Sequence, residues 1–120
     1  MTTRSRLAAG AAVVAAAAAT TLLAAPASAA PAAYCAAGSS QVHSVSTATA
    51  VVRICQFPSG AFQYRGTLRE TGHTGVFAAS YERVRGYYVA RNRGYYYLVW
   101  RNAVEVRDPG YNFVSYESAQ

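Results

Sequence analysis

The sequence predicts an all-β fold: a small single-domain antiparallel meander, built as a barrel or a sandwich, with six or seven short strands and one disulfide. No window keeps a helical period of apolar residues, whereas several short runs alternate apolar and polar residues with period two. Turn signals containing Gly or Pro recur about every 8–12 residues, as in small β domains. Ten Tyr, four Phe and one Trp, all after residue 33, argue against disorder.

The first predicted strands form a hairpin. Residues 49–57 are rich in Val and Ile and end at the turn signal Pro58-Ser59-Gly60. Residues 61–68 follow and alternate apolar with polar side chains. A loop at 70–75 then leads to a short strand at 76–81.

Two further hairpins are predicted in the second half of the chain. Strands at 86–91 and 95–101 flank Asn92-Arg93-Gly94, and strands at 104–107 and 111–117 flank a turn at 108–110. A three-residue loop ending in Gly suits a type I turn followed by a left-handed bulge residue.

The loop length determines which side chains of the 86–101 hairpin share a face. With a three-residue loop, the face expected in the core carries Tyr88, Ala90, Leu98 and Trp100. The opposite face then carries Tyr87, Arg91, Tyr95 and Tyr97. A two-residue loop would change the register and mix the two sets, so the sequence leaves open whether these tyrosines are surface or core.

The N-terminus has the features of a secretory signal peptide. Arg4 and Arg6 precede an apolar run at 7–25, and Ala27-Ser28-Ala29 forms a small-residue cleavage site. A retained anchor is the alternative. The predicted organisation is a cleaved signal at 1–29, a polar N-terminal segment at 30–48 and a β domain at 49–120. We therefore expect a secreted protein, in the medium or the cell envelope, that meets the membrane only through its signal peptide before cleavage.

Cys35 and Cys55 are the two cysteines of the chain. In an exported domain they are expected to form one disulfide, which stabilises by about 3 kcal/mol on the chain-entropy model. No short Cys/His spacing typical of a zinc site is present, and neither a metal nor a cofactor is expected.

Several segments of the chain resemble a group of small secreted proteins of actinobacteria, including mycobacteria, Nocardia and Streptomyces. The similar pieces are 52–55, 62–66 and 86–94, together with Glu117 after a hydrophobic strand. The richness in Ala and Arg is typical of a GC-rich genome. The resemblance implies export, β structure and one disulfide, but no activity.

Candidate catalytic groups are few. His43 lies beside Ser44 and Ser46, but no Gly-x-Ser-x-Gly motif is present, and both His43 and His73 are interpreted as ordinary surface residues. A secreted ribonuclease, a minor alternative, would use Glu70, His73 and Arg69 to move protons and stabilise phosphate. The main prediction is that the protein is not an enzyme.

We expect an extracellular binding or interaction protein whose ligand surface consists of Tyr87, Arg91, Tyr95 and Tyr97. Exposed tyrosines stack on sugars and Arg binds anionic groups, so cell-wall or other extracellular polysaccharide, or a secreted protein, is the expected partner. An inhibitor of an extracellular hydrolase is the alternative. Without Arg4 and Arg6 the net charge falls from +6 to +4, a weak field that argues against nucleic-acid binding.

Overall fold

Within residues 33–120, one eight-stranded antiparallel sheet contains every strand, and each strand pairs with the next in sequence. The computed structural model describes residues 33–120, so the predicted signal peptide lies outside the described residues. The strands are β1 (Ser40–Ser46), β2 (Ala50–Gln56), β3 (Phe62–Leu68), β4 (Thr74–Glu82), β5 (Tyr87–Asn92), β6 (Tyr95–Val99), β7 (Ala103–Arg107) and β8 (Phe113–Ser118). The predicted all-β antiparallel meander is confirmed, but the strand count of six or seven is wrong.

The additional strand is β1, which lies in the segment that the sequence assigned to a polar N-terminal region. Its residues are mostly Ser, Gln and His, and Val45 is its one fully buried apolar side chain. A bulge between Gln41 and His43 interrupts its register with β2. Because β1 lacks an apolar alternation, its sequence does not predict a strand; pairing with the apolar β2 supports it instead.

The sheet curls into a half-barrel, so the inner faces of its two halves pack on each other. Val45, Val52, Ile54 and Tyr64 from the first three strands form one buried cluster with Ala90 and Val99 from the second half. Burying a Val or Ile side chain contributes about 1.5–3 kcal/mol. This cluster therefore holds the curvature of the sheet.

Hydrogen bonds also join the two halves. The His43 ring nitrogen Nε2 lies 3.0 Å from the Trp100 carbonyl oxygen, and the ring stacks on Tyr88 at 5.9 Å. The Gln120 amide donates to the Ser46 carbonyl oxygen at 2.9 Å. His43 is thus half-buried and bridges distant strands, so its interpretation as an ordinary surface residue is wrong.

The predicted disulfide between Cys35 and Cys55 is confirmed. It ties the segment before β1 to the outer face of β2, where the Cys55 side chain is fully buried. Beside it, the Arg53 guanidinium lies 4.6 Å from the centre of the Tyr34 ring and donates to the Ala33 carbonyl oxygen. A disulfide is typical of oxidising compartments. Within residues 33–120 no helix is long and apolar enough to cross a membrane.

The β5–β6 hairpin has a two-residue turn, not the predicted three-residue loop. Asn92 pairs with Tyr95, and both turn residues have positive φ, 52° for Arg93 and 85° for Gly94. These values are those of a type I′ turn, whose twist matches the twist of the strands it joins. The predicted register is therefore wrong, and Tyr95 and Tyr97 share a face with Ala90 instead of with Tyr87 and Arg91.

Candidate functional site

The concave face of the half-barrel encloses a cavity of about 510 Å³. It lies toward the end of the sheet that carries the β1–β2 and β3–β4 turns, where Thr49 and His73 line it. Sites for small ligands span about 300–1,000 Å³, so the size suits a small organic molecule. Both halves of the sheet contribute lining residues: Val52, Tyr64, Leu68, Phe77, Tyr95, Tyr97, Val104, Val106, Ser115 and Glu117.

Three aromatic rings form the floor of the cavity. The centre of the Tyr64 ring lies 5.8 Å from that of Phe77 and 5.5 Å from that of Tyr97, and Phe77 lies 5.9 Å from Tyr97. These separations and tilts are favourable for aromatic pairs. Because Tyr64 and Phe77 come from β3 and β4 and Tyr97 comes from β6, the floor spans both halves of the sheet.

Two paired glycines make room for the floor. Gly66 of β3 lies opposite Gly75 of β4. A Cβ on Gly66 would come within 2.5 Å of the Tyr64 hydroxyl oxygen, and a Cβ on Gly75 within 2.9 Å of the Phe77 ring. The rings therefore lie flat over bare backbone and leave the space above them open. A glycine inside a strand is the sequence signal that points to such a close approach.

Polar groups lie at the edges of the cavity. The Asn92 amide donates to the Tyr97 hydroxyl at 3.2 Å. The Thr49 hydroxyl donates to the Glu117 carboxylate, with its oxygen 2.7 and 2.9 Å from the two carboxylate oxygens. Hydrogen bonds from the hydroxyls of Thr47 and Thr49 lower the pKa of Glu117 from its ordinary value of 4.5, so its carboxylate is ionised at neutral pH. Burial, and secondarily the neighbouring Tyr97, raises the pKa of Tyr64 well above its usual range.

The structure divides the predicted ligand surface between the two faces of the sheet. Tyr95 and Tyr97 line the cavity; Tyr97 lies in its floor, and Tyr95 is 40% exposed. Tyr87 and Arg91 lie on the convex face, since their register places them opposite the cavity. The four residues therefore form no common surface.

Tyr87 and its neighbours form a separate cluster on the convex face. The Tyr87 ring packs edge-on against Trp100 with centres 4.7 Å apart, and its hydroxyl lies 3.3 Å from that of Tyr111. This hydrogen bond and burial raise the pKa of Tyr87 to about 12. Tyr87 is only 6% exposed, so it has little surface for a ligand.

Charged groups complete the convex cluster. Glu105, itself buried, accepts from the Trp100 ring nitrogen at 2.9 Å and from Arg107 at 2.7 Å. Arg107 also donates to the carbonyl oxygen of Tyr111, whose φ of 67° is strained for a non-glycine residue. Arg91 lies over the Tyr96 ring at 4.1 Å. These partners hold the cluster together and make it a structural element.

The groups proposed for a ribonuclease do not converge. Arg69 donates through Nε to the Thr47 carbonyl oxygen at 2.9 Å. Glu70 and His73 are exposed, and within residues 33–120 the Glu70 carboxylate makes no hydrogen bond or ion pair. Of the three, His73 alone lines the cavity. In the same part of the chain no group of three or more His, Cys, Asp or Glu side chains is placed to hold a metal ion.

No protein-family model, curated protein or solved structure matches the chain. The residues of the cavity are therefore the basis for assigning a ligand.

Proposed function

We propose that this protein is an exported, non-catalytic binding protein that holds a small molecule with an apolar body in the concave cavity. The observation that carries the proposal is the cavity of about 510 Å³ with its floor of three aromatic rings. A concave, mostly apolar site with a few polar groups at its edge is the usual form of a small-molecule site.

The energetics favour an apolar ligand body. Each 100 Å² of apolar surface that a ligand removes from water contributes about 2.5 kcal/mol. The walls offer such surface from Leu68, Val104 and Val106 as well as from the rings. Because the floor is tied together by ring contacts, little reorganisation is needed on binding.

The cavity suits a small molecule better than the polysaccharide expected from the sequence. Stacking along a polymer needs a row of exposed rings on one surface. The tyrosines of the β5–β6 hairpin instead lie on two faces, and Tyr97 packs against Tyr64 and Phe77. The features of a signal peptide at 1–29 and the disulfide support export.

Binding of a neutral fluorescent probe tests the proposal. Purified protein lacking residues 1–29 is titrated with N-phenyl-1-naphthylamine, whose emission rises in apolar surroundings. We expect saturable binding at one site. Ser115→Phe should weaken it, because residue 115 lines the cavity and a ring there takes up part of the space.

Ser80→Phe is the matched control, since Ser80 is exposed on β4 outside the cavity lining. It should bind the probe as the wild type does. Absence of saturable binding to the wild type, or equal binding by both variants, would contradict the proposed site.

A further inference from the structure

The charge around the cavity is opposite in sign to that of the whole molecule. The chain has eleven basic and five acidic residues. Yet among the described residues that line the cavity, no arginine is present and Glu117 is the one side chain of Asp, Glu, Lys or Arg type. A positively charged protein thus presents a carboxylate to whatever occupies this cavity.

Glu117 is placed to interact with a ligand as well as with the protein. The hydroxyls of Thr47 and Thr49 and the Thr49 backbone supply three hydrogen bonds to the carboxylate, whereas its two oxygens accept about four. The hydrogen bonds that lower its pKa keep the group ionised. The carboxylate therefore keeps both its charge and part of its accepting capacity for a ligand.

The aromatic floor, like the Glu117 carboxylate, favours a positively charged ligand. The faces of Tyr and Phe rings carry negative electrostatic potential and attract cations. Tyr64, Phe77 and Tyr97 form the floor, and Glu117 lies in the lining of the same cavity. An anionic ligand would meet repulsion both from the rings and from the carboxylate.

We propose that the ligand is a small organic cation, an ammonium group on an apolar body, with its charge beside Glu117 and its body over the rings of Tyr64, Phe77 and Tyr97. This inference rests on the proposed function, because it names the ligand class of the same cavity.

Three probes that share an eight-carbon chain and differ in headgroup test the inference: octyltrimethylammonium, octyl sulfate and 1-octanol. Each is titrated below its micelle concentration into the protein lacking residues 1–29 and followed by NMR chemical shifts and calorimetry. We expect the cation to bind about tenfold or more tighter than the anion. Resonances of residues lining the cavity should shift.

Glu117→Gln should reduce the affinity for the cation about tenfold and leave that for octanol unchanged, since it removes the charge and keeps the size. Its amide oxygen can still accept from Thr49, and the NMR fingerprint checks that the fold is kept. Glu82→Gln is the matched control: it makes the same change of net charge outside the cavity lining and should preserve the preference.

The outcomes distinguish failure of the cation inference alone from failure of the proposed binding function. Equal affinity for the three probes, or a cation preference that survives Glu117→Gln, would overturn the cation inference while leaving an apolar binding site. Failure of all three probes to bind the wild type would remove the inference and the proposed function together.

Discussion

Gly66 and Gly75 shape the cavity through the side chains that they lack. A Cβ at either position would clash with one of the neighbouring rings. Here the rings of Tyr64 and Phe77 occupy that volume and lie against the backbone. The cavity exists because the rings are held down on the sheet.

Gly66→Ala should therefore destabilise the fold by about 1–3 kcal/mol, because the new methyl group forces the Tyr64 ring off its position. Urea unfolding measures this cost in the wild type and in a Tyr64→Leu background. Without the ring, the cost of Gly66→Ala should fall substantially. An equal cost in both backgrounds would show that the backbone, not the ring, disfavours the alanine.

Part of the candidate site could be predicted from the sequence. The density of Tyr and Arg in one hairpin pointed to Tyr95 and Tyr97, and both line the cavity. Phe77 and Glu117 were missed, since neither stands in an unusual motif and their convergence depends on how the sheet curls. Tyr87 and Arg91 were included because an assumed register placed them beside Tyr95.

At the level of strands, the period-two patterns and turn signals predicted the sheet order but not every strand or register. Strand β1 was not predicted, because its own residues are mostly polar and its partner β2 supplies the apolar surface. The β5–β6 register was predicted wrongly, because Arg93 adopts a left-handed conformation that sequence rules assign mainly to Gly, Asn and Asp. The prediction assumed a loop one residue longer than the structure has, and it therefore assigned each β6 side chain to the wrong face of the sheet.

The two turn residues should respond in opposite directions to substitution. Gly94→Ala should cost about 1–2 kcal/mol, because φ is +85° and the new Cβ would lie 3.1 Å from Pro109. Arg93→Asn should stabilise by about 0.5–1 kcal/mol, since Asn tolerates positive φ at the first position of a type I′ turn. Thermal unfolding of the two variants beside the wild type measures both changes. Stabilisation by Gly94→Ala would contradict the turn assignment.

Across the whole molecule, tyrosines on both faces of the sheet are held in the neutral form. Burial, and secondarily Tyr97, raises the pKa of Tyr64. The hydrogen bond to Tyr111, and secondarily burial, raises the pKa of Tyr87 to about 12. Burial, and secondarily Tyr81, raises the pKa of Tyr88. In the unfolded chain these groups ionise near the ordinary value of 10.0. The unfolded state therefore loses protons first as pH rises.

Stability should consequently be complete below pH 10 and fall as the pH rises from about 10 to about 12. Tyrosinate absorbance, followed together with circular dichroism, should show exposed tyrosines ionising first and the remainder ionising with the loss of structure. Tyr64→Phe removes one of these groups, so its stability should fall less steeply with pH. Ionisation of every tyrosine near pH 10 with the fold intact would contradict this expectation.

The bonds that join the two halves of the sheet have a consequence for the order of folding. All strand pairs are between sequence neighbours, so each hairpin can form with little loss of chain entropy. The contacts of His43 with Trp100 and of Thr49 with Glu117 instead span 57 and 68 residues. We expect these contacts to form after the folding transition state. Weakening these contacts should then accelerate unfolding and leave the folding rate nearly unchanged. The lifetime of the cavity therefore depends on the contacts that form last during folding.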